Sequence, residues 1–244
     1  MDLFNFLVAH PAPGADVDLL NVFTDVRRWM SSFGEIERCG GRAGKVISFN
    51  EKKFLADLSQ GKLEAIELYS ARKWPKDDVS EMLNADCSVI FTDGVGLMLC
   101  AHESQAGLVE IADALLMMES IAGICDYAYG YTESRAYGTG YARGIFMPDE
   151  AHPLMWPRRS EACNWERKRW ASETDAFLRD VFPVNLFSAL KIAALPLEKR
   201  QALESAMGAF GTYRRQGELT VWTLDGQALA SARVKLLGVG AIVA

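Results

Sequence analysis

Few side chains in this chain have the chemistry for bond making, and they lie far apart. Three histidines (His10, His102, His152) and five cysteines (Cys39, Cys87, Cys100, Cys125, Cys163) are spread over 244 residues. A zinc site is normally assembled from closely spaced ligand pairs, and neither an HxxxH nor a CxxC spacing occurs. Five thiols without close spacing read as reduced cysteines, packed as small core residues in a reducing compartment. Nucleophilic catalysis needs a serine or cysteine beside a base and an orienting carboxylate, and no G-x-S-x-G elbow is present. Neighbouring carboxylates such as Asp77 and Asp78 do not make a dyad, because adjacent residues on a strand point to opposite sides. The sequence therefore predicts a binding protein rather than an enzyme, with no catalytic residue, no cofactor and no metal.

The nearest approach to a nucleotide loop is Gly138-Thr139-Gly140-Tyr141-Ala142-Arg143-Gly144. In a dinucleotide fingerprint the third glycine falls three residues after the second, where helix and strand pack closely; here it falls four after. The stretch reads instead as a tight, tyrosine-rich loop. Tyrosine and arginine are favoured at protein interfaces, since they join large contact area to hydrogen bonding. Tyr131, Glu133, Arg135, Tyr137, Tyr141 and Arg143 accordingly form the expected exposed partner-binding set, while Tyr127, Tyr129 and Tyr131 alternate as if lining one sheet face. A second aromatic-basic stretch runs from Trp156-Pro157-Arg158-Arg159 to Trp165-Glu166-Arg167-Lys168-Arg169-Trp170. Interleaved acids dilute its charge, and Glu166 with Arg169 has the spacing of an ion pair within a helix. A solvated helix face is expected there, not a nucleic-acid patch.

The elements that must position these residues follow from periodicity. Leu3 to Val8 predicts a strand; Leu19, Leu20, Phe23, Val26, Met30 and Phe33 recur at helical spacing behind a cap at Asp16 or Asp18. Cys39 to Gly44 reads as a loop, with strands at 46–49 and 65–70. Cys87 to Phe91 and Val95 to Ala101 flank Asp93-Gly94, a hairpin signal. Ser104 is expected to cap a helix running to Gly123, with Met117 and Met118 as core filler, followed by a strand over 126–131. Helices are expected over 160–181 and 197–210, the second starting at Pro196. Leu219 to Leu224 predicts a strand, Asp225 a helix cap, and Ala241 to Val243 a last strand. The fold class is α+β: antiparallel sheets with helices mainly on one face and a C-terminal strand-helix-strand. An N-terminal region, 1–146, and a C-terminal one, 147–244, are expected to pack as one unit, with any boundary at 147–160.

Half the residues are hydrophobic and 24% are charged, a composition that supports a sizeable core. A formal net charge of −6 argues against a phosphate-gripping surface and suits a basic protein partner. No apolar run reaches the roughly 18 residues of a membrane span, and the apolar start lacks a positive leader. A cytoplasmic location without membrane contact is expected.

The C-terminal third carries a resemblance. Leu178-Arg179-Asp180-Val181-Phe182-Pro183-Val184-Asn185 looks like a Leu-Arg-Asp-Val-Phe/Tyr-Pro-x-Asn element. It is followed by a strand with Gly217, Leu219, Trp222 and Leu224 and an ending with Val234, Leu237, Gly240 and Ile242. Together these resemble the immunity proteins of polymorphic toxins, of the immunity protein 52 type. Gly240 stands one place early, with Ala241 where a glycine belongs. The resemblance implies a cytoplasmic α+β protein that neutralises a cognate nuclease toxin of a type VI secretion system by binding it, with no catalytic residue of its own. The alternatives are an enzyme centred near His102 or the 138–144 loop, and a ligand-sensing regulatory domain built around an apolar cavity.

Overall fold

The computed structural model describes residues 2–40, 46–70, 85–92, 96–143 and 159–243; the side chains of residues 136, 137, 143 and 159 fall outside that description. The chain divides into two compact units, Met1–Cys125 with Thr132–Ala136, and Asp126–Tyr131 with Tyr137–Ala244. Residues 147–158 of the boundary expected from the sequence lie outside the described residues.

The first unit contains strands β1 (Leu3–Pro11), β2 (Ile36–Gly40), β3 (Val46–Ser48), β4 (Ile66–Ser70), β5 (Cys87–Thr92) and β6 (Gly96–His102). They lie in the order β3-β2-β4-β5-β6-β1, every neighbour antiparallel. The β5–β6 register ends at Thr92 opposite Gly96, as a short hairpin requires, while Asp93 and Gly94 themselves lie outside the described residues. Gly96 has φ +81°, and a β-carbon there would collide with the Ala9 carbonyl, so only glycine lets β1 approach. Consecutive residues of β1, β5 and β6 are buried, so both faces of these strands are covered.

Helix α1 (Leu19–Met30) starts where the Asp18 carboxylate accepts from the backbone N–H groups of Leu20 (2.9 Å) and Asn21 (3.2 Å). It buries Val22, Phe23, Val26 and Met30. The next helix, α2 (Glu51–Ser59), is capped by Asn50. The single helix expected from Ser104 to Gly123 is two, α3 (Leu108–Leu116) and α4 (Glu119–Ala122). Ser104 caps neither: its hydroxyl lies 2.8 Å from His102 Nδ1, and α3 starts after Gly107, whose N–H donates to the Glu110 carboxylate at 2.8 Å. The break between the helices buries Met118 and leaves Met117 exposed, so only one of the pair is core filler.

The second unit is built on β7 (Cys125–Ser134), of which it holds Asp126–Tyr131, with β8 (Val184–Ser188), β9 (Thr212–Gln216) and β10 (Leu219–Thr223). The order is β7-β8-β10-β9, again antiparallel throughout. The helices are α5 (Arg135–Arg143, from Tyr137 in this unit), α6 (Arg159–Trp170), α7 (Ala189–Ala194), α8 (Leu197–Ala209) and α9 (Gly226–Gly238). As expected, Asp225 caps α9, accepting from Ala228 N–H at 3.1 Å. The glycine-rich 138–143 stretch, expected as a loop, is helical: packing of Tyr141 and Ala142 outweighs the weak propensity of Gly138 and Gly140. The helix expected over 160–181 ends at Trp170, and Ser172 turns out with φ +56°. In place of a last strand there is a single parallel bridge between Leu178 and Ile242. The chain is thus α+β with antiparallel strand pairing. No helix among the described residues is long and apolar enough to cross a membrane.

Candidate functional site

Leu178–Asn185, the stretch that carries the resemblance, forms the buried centre of the second unit. Leu178 is fixed to the tail by backbone bonds, its N–H donating to Ala241 (2.8 Å) and its carbonyl accepting from Val243 (3.1 Å). Phe182 and Asn185 clamp each other: Asn185 Oδ1 accepts from Phe182 N–H at 3.1 Å, and Asn185 Nδ2 donates to the Phe182 carbonyl at 2.6 Å. That loop aims Pro183 at β10, and Leu224 N–H donates to its carbonyl at 2.9 Å. Trp222 pairs in register with Asn185, is fully buried, and donates its indole N–H to Phe210 at 2.8 Å.

Arg179 is 1% exposed, and its neighbours are aromatic. The guanidinium donates to the Tyr129 hydroxyl and, at 2.6 Å, to the Tyr141 carbonyl, and its carbon stands 4.0 Å from the Tyr141 ring centroid and 5.2 Å from that of Tyr129. Burial opposes the charged form, but the surrounding tyrosines hold the guanidinium above its usual range. Burial also pushes the Tyr129 phenol up to about 12. Phe182 stacks on Tyr129 at 4.4 Å, and Tyr127 stacks on Phe187 at 5.6 Å. Next along the chain, Asp180 accepts from Arg233 Nε at 2.9 and 3.1 Å, while another nitrogen of Arg233 donates to Glu161. Burial raises the Glu166 carboxyl, partly offset by Arg169, its ion-pair partner at 2.9 Å, and by Arg179. Lys191 is buried and its ammonium, lowered by burial, donates to the Thr174 carbonyl at 2.6 Å.

The expected partner-binding set is placed differently from its exposed reading. Tyr131 and Tyr141, both in the second unit, are buried edge to face at 5.3 Å, and the Tyr131 hydroxyl donates to the Gly138 carbonyl at 2.6 Å. Glu133 and Arg135 belong to the first unit and are also buried; Arg135 donates to the Ala85 carbonyl and lies 5.1 Å from the Phe4 ring. The Glu133 carboxylate accepts from Ser134 N–H at 2.7 Å, so all four side chains are buried and lack the outward face expected of a contact surface. The side chains of Tyr137 and Arg143 lie outside the described residues, as do Trp156, Pro157 and Arg158. Tyr127, Tyr129 and Tyr131 do line one sheet face, with successive rings 5.5 and 6.1 Å apart.

In the first unit, Asn5 Nδ2 donates to the Ala106 carbonyl at 2.8 Å while its oxygen accepts from the Thr132 hydroxyl at 2.6 Å. His102 packs on the edge of Phe4 at 5.0 Å and meets Ser104. Cys87 and Cys100 are fully buried, and burial pushes both thiols up, which favours the unreactive protonated form. Among the described residues, no group of three or more His, Cys, Asp or Glu side chains is placed to hold a metal ion. What these arrangements do chemically is lock distant segments together through buried cations and amides. Sequence reading missed Arg233, Lys191 and Glu161, whose partners lie 17 to 72 positions away.

No family model matches the chain, and no curated protein matches it. Among solved structures, a Pseudomonas aeruginosa T6SS protein aligns over 96% of this chain and 76% of its own, with a TM-score of 0.47 and 10% sequence identity. At that score the likeness carries no argument about fold or function.

Proposed function

We propose that this protein is an immunity-type binding protein that neutralises a cognate nuclease toxin, delivered by a type VI secretion system, in the cytoplasm of the producing cell. The observation that supports this reading is the convergence of the three separated stretches that carry the resemblance. Leu178–Asn185, the β10 strand and the tail meet through the Leu224–Pro183, Leu178–Ala241 and Arg233–Asp180 bonds. The acidic balance, −6 overall, favours encounter with a basic, DNA-seeking surface. Inhibition on this reading comes from surface complementarity and needs no catalytic group.

The test is a DNA-cleavage assay with the product of the neighbouring open reading frame. Stoichiometric addition of the purified protein abolishes cleavage, and raising salt from low to high ionic strength weakens the protection. Undiminished cleavage in the presence of excess protein rules the proposal out.

A further inference from the structure

Within the first unit, the β2–β3 pair, α2 and the turn after α2 enclose a pocket of about 370 Å³. Cys39 and Ile47 stand opposite each other in register, so their side chains share one face of the pair. Phe54 and Leu63 add to the apolar lining, and the Phe54 ring is held from behind by Phe23 at 5.2 Å and Phe49 at 5.7 Å. Ile47 is 43% exposed, which leaves an apolar side chain at the rim half in water.

The polar groups of the pocket do not balance. Its charged lining residues are Lys53, Asp57 and Lys62. Lys62 Nζ lies 3.9 Å from Asp57 Oδ1, so that pair is neutral. Lys53 is exposed and has no ion-pair partner among the described residues. Burial raises the Cys39 thiol and the Lys53 ammonium partly offsets it, so this charge lies within reach of the pocket wall. Asn50 Oδ1 accepts from Lys53 N–H at 3.0 Å, which turns its Nδ2 group away from the helix, and that group has no acceptor among the described residues. Two further charges nearby belong to the other face of the sheet. Arg38 precedes Cys39 and donates to Ser48 Oγ at 3.0 Å, while Glu67 precedes Leu68, the register partner of Cys39, and accepts from the Tyr69 hydroxyl. The pocket therefore holds one surplus positive charge and one unused amide donor beside an apolar wall.

We infer that this pocket binds a small apolar carboxylate, its head held by Lys53 and Asn50 and its body laid against Ile47, Phe54 and Leu63. A carboxylate carries one negative charge at neutral pH, which matches the surplus left once Lys62 and Asp57 have paired. The ammonium supplies a point charge and the amide a directed donor for a second oxygen. Lys53 is well hydrated, so the charge alone holds an anion weakly, and burial of the ligand body must supply the rest. The volume suits a ligand at the small end of the usual range of binding cavities. This inference does not rest on the immunity reading and goes beyond it.

The experiment titrates the full chain with phenylacetate, followed by calorimetry and by backbone amide NMR. The expected result is saturable one-to-one binding, with shifts concentrated at Cys39, Ile47, Asn50 and Phe54. Lys53→Ala, a change at an exposed position, weakens binding about tenfold, and Ile47→Ser weakens it as well. Asp57→Asn releases Lys62 from its partner and tightens binding about threefold, an effect that damage to the fold could not imitate. Circular dichroism verifies that each variant is folded. Phenylacetamide, with the same ring and no charge, and acetate, with the charge and no ring, both bind at least about tenfold more weakly. No saturation by about 10 mM phenylacetate, shifts located elsewhere, or affinity unchanged in Lys53→Ala overturns the site. Equal affinity for phenylacetamide overturns the charged head, equal affinity for acetate overturns the apolar body, and tighter binding of phenyl phosphate overturns the choice of a monoanion.

Discussion

The Arg179 guanidinium carbon stands 4.0 Å from the Tyr141 ring centroid, and the same side chain donates at 2.6 Å to that tyrosine's carbonyl. One residue thus holds α5 by both its ring and its backbone, and its other arm reaches Tyr129 on β7. Replacing Arg179 by Ala removes a buried cation and the donor that the Tyr129 hydroxyl and the Tyr141 carbonyl accept from. The expected loss is about 3–5 kcal/mol of stability, read from urea unfolding. Arg179→Lys does not restore the wild type, because a single ammonium cannot reproduce the planar fork. Wild-type stability in the lysine variant would refute the clamp.

Arg233 bridges two acids whose side chains are 1% and 9% exposed, Asp180 and Glu161. Arg233→Met removes the cation that both carboxylates share and is expected to cost about 3–5 kcal/mol, whereas Arg233→Met combined with Asp180→Asn recovers part of it. A double mutant no better than the single one counts against the pairing.

Alkali tests the phenol beside Arg179. The Tyr129 value is raised by burial from 10.0 to about 12, so the folded state retains a proton that the unfolded chain gives up. Stability contributed by this group is whole below pH 10 and is lost as pH rises through about 12. Spectrophotometric titration should show a phenol ionising only near the top of that window, and unfolding free energy should fall across it. Normal titration of every tyrosine near pH 10 would contradict the buried placement.

Glu166 gives a window at the acid end. Burial raises its carboxyl, so its stabilising effect is present in acid and declines as pH climbs through the raised value. Glu166→Gln is expected to flatten that decline in a series of urea melts at increasing pH. Parallel curves for the two proteins would show that the carboxyl is not held up.

Two tryptophans on α6 separate packing from exposure. Trp165 is 2% exposed and Trp170 is 81% exposed. Trp165→Ala should cost about 3–5 kcal/mol, and Trp170→Ala should stay within about 0.5 kcal/mol. Equal losses would mean that α6 is rotated from the position described.

Much of this scaffold was legible from local signals. Asp18 and Asp225 cap the helices they were expected to cap, and the Glu166–Arg169 pair forms as its spacing suggested. The β5–β6 pairing follows because Asp93-Gly94 falls between two apolar runs of strand length. The failures have physical reasons. All five residues of β8 are buried, so the strand has no alternation to read. All five residues of β9 are exposed, so its polar string resembles a loop. Helix α5 forms despite two glycines because Tyr141 and Ala142 are buried. The tyrosine set looked like a surface because tyrosine suits both interfaces and polar cores, and composition cannot separate these uses.

Strand β9 ends the run β7-β8-β10-β9 with no strand of the described residues on its outer edge, and its sequence is Thr212-Tyr213-Arg214-Arg215-Gln216. Two copies aligned antiparallel along that edge would set guanidinium groups against one another at close range. Concentrated solutions of the protein should therefore resist zipping into fibres from this end. Neutralising both arginines is the change that would remove that safeguard.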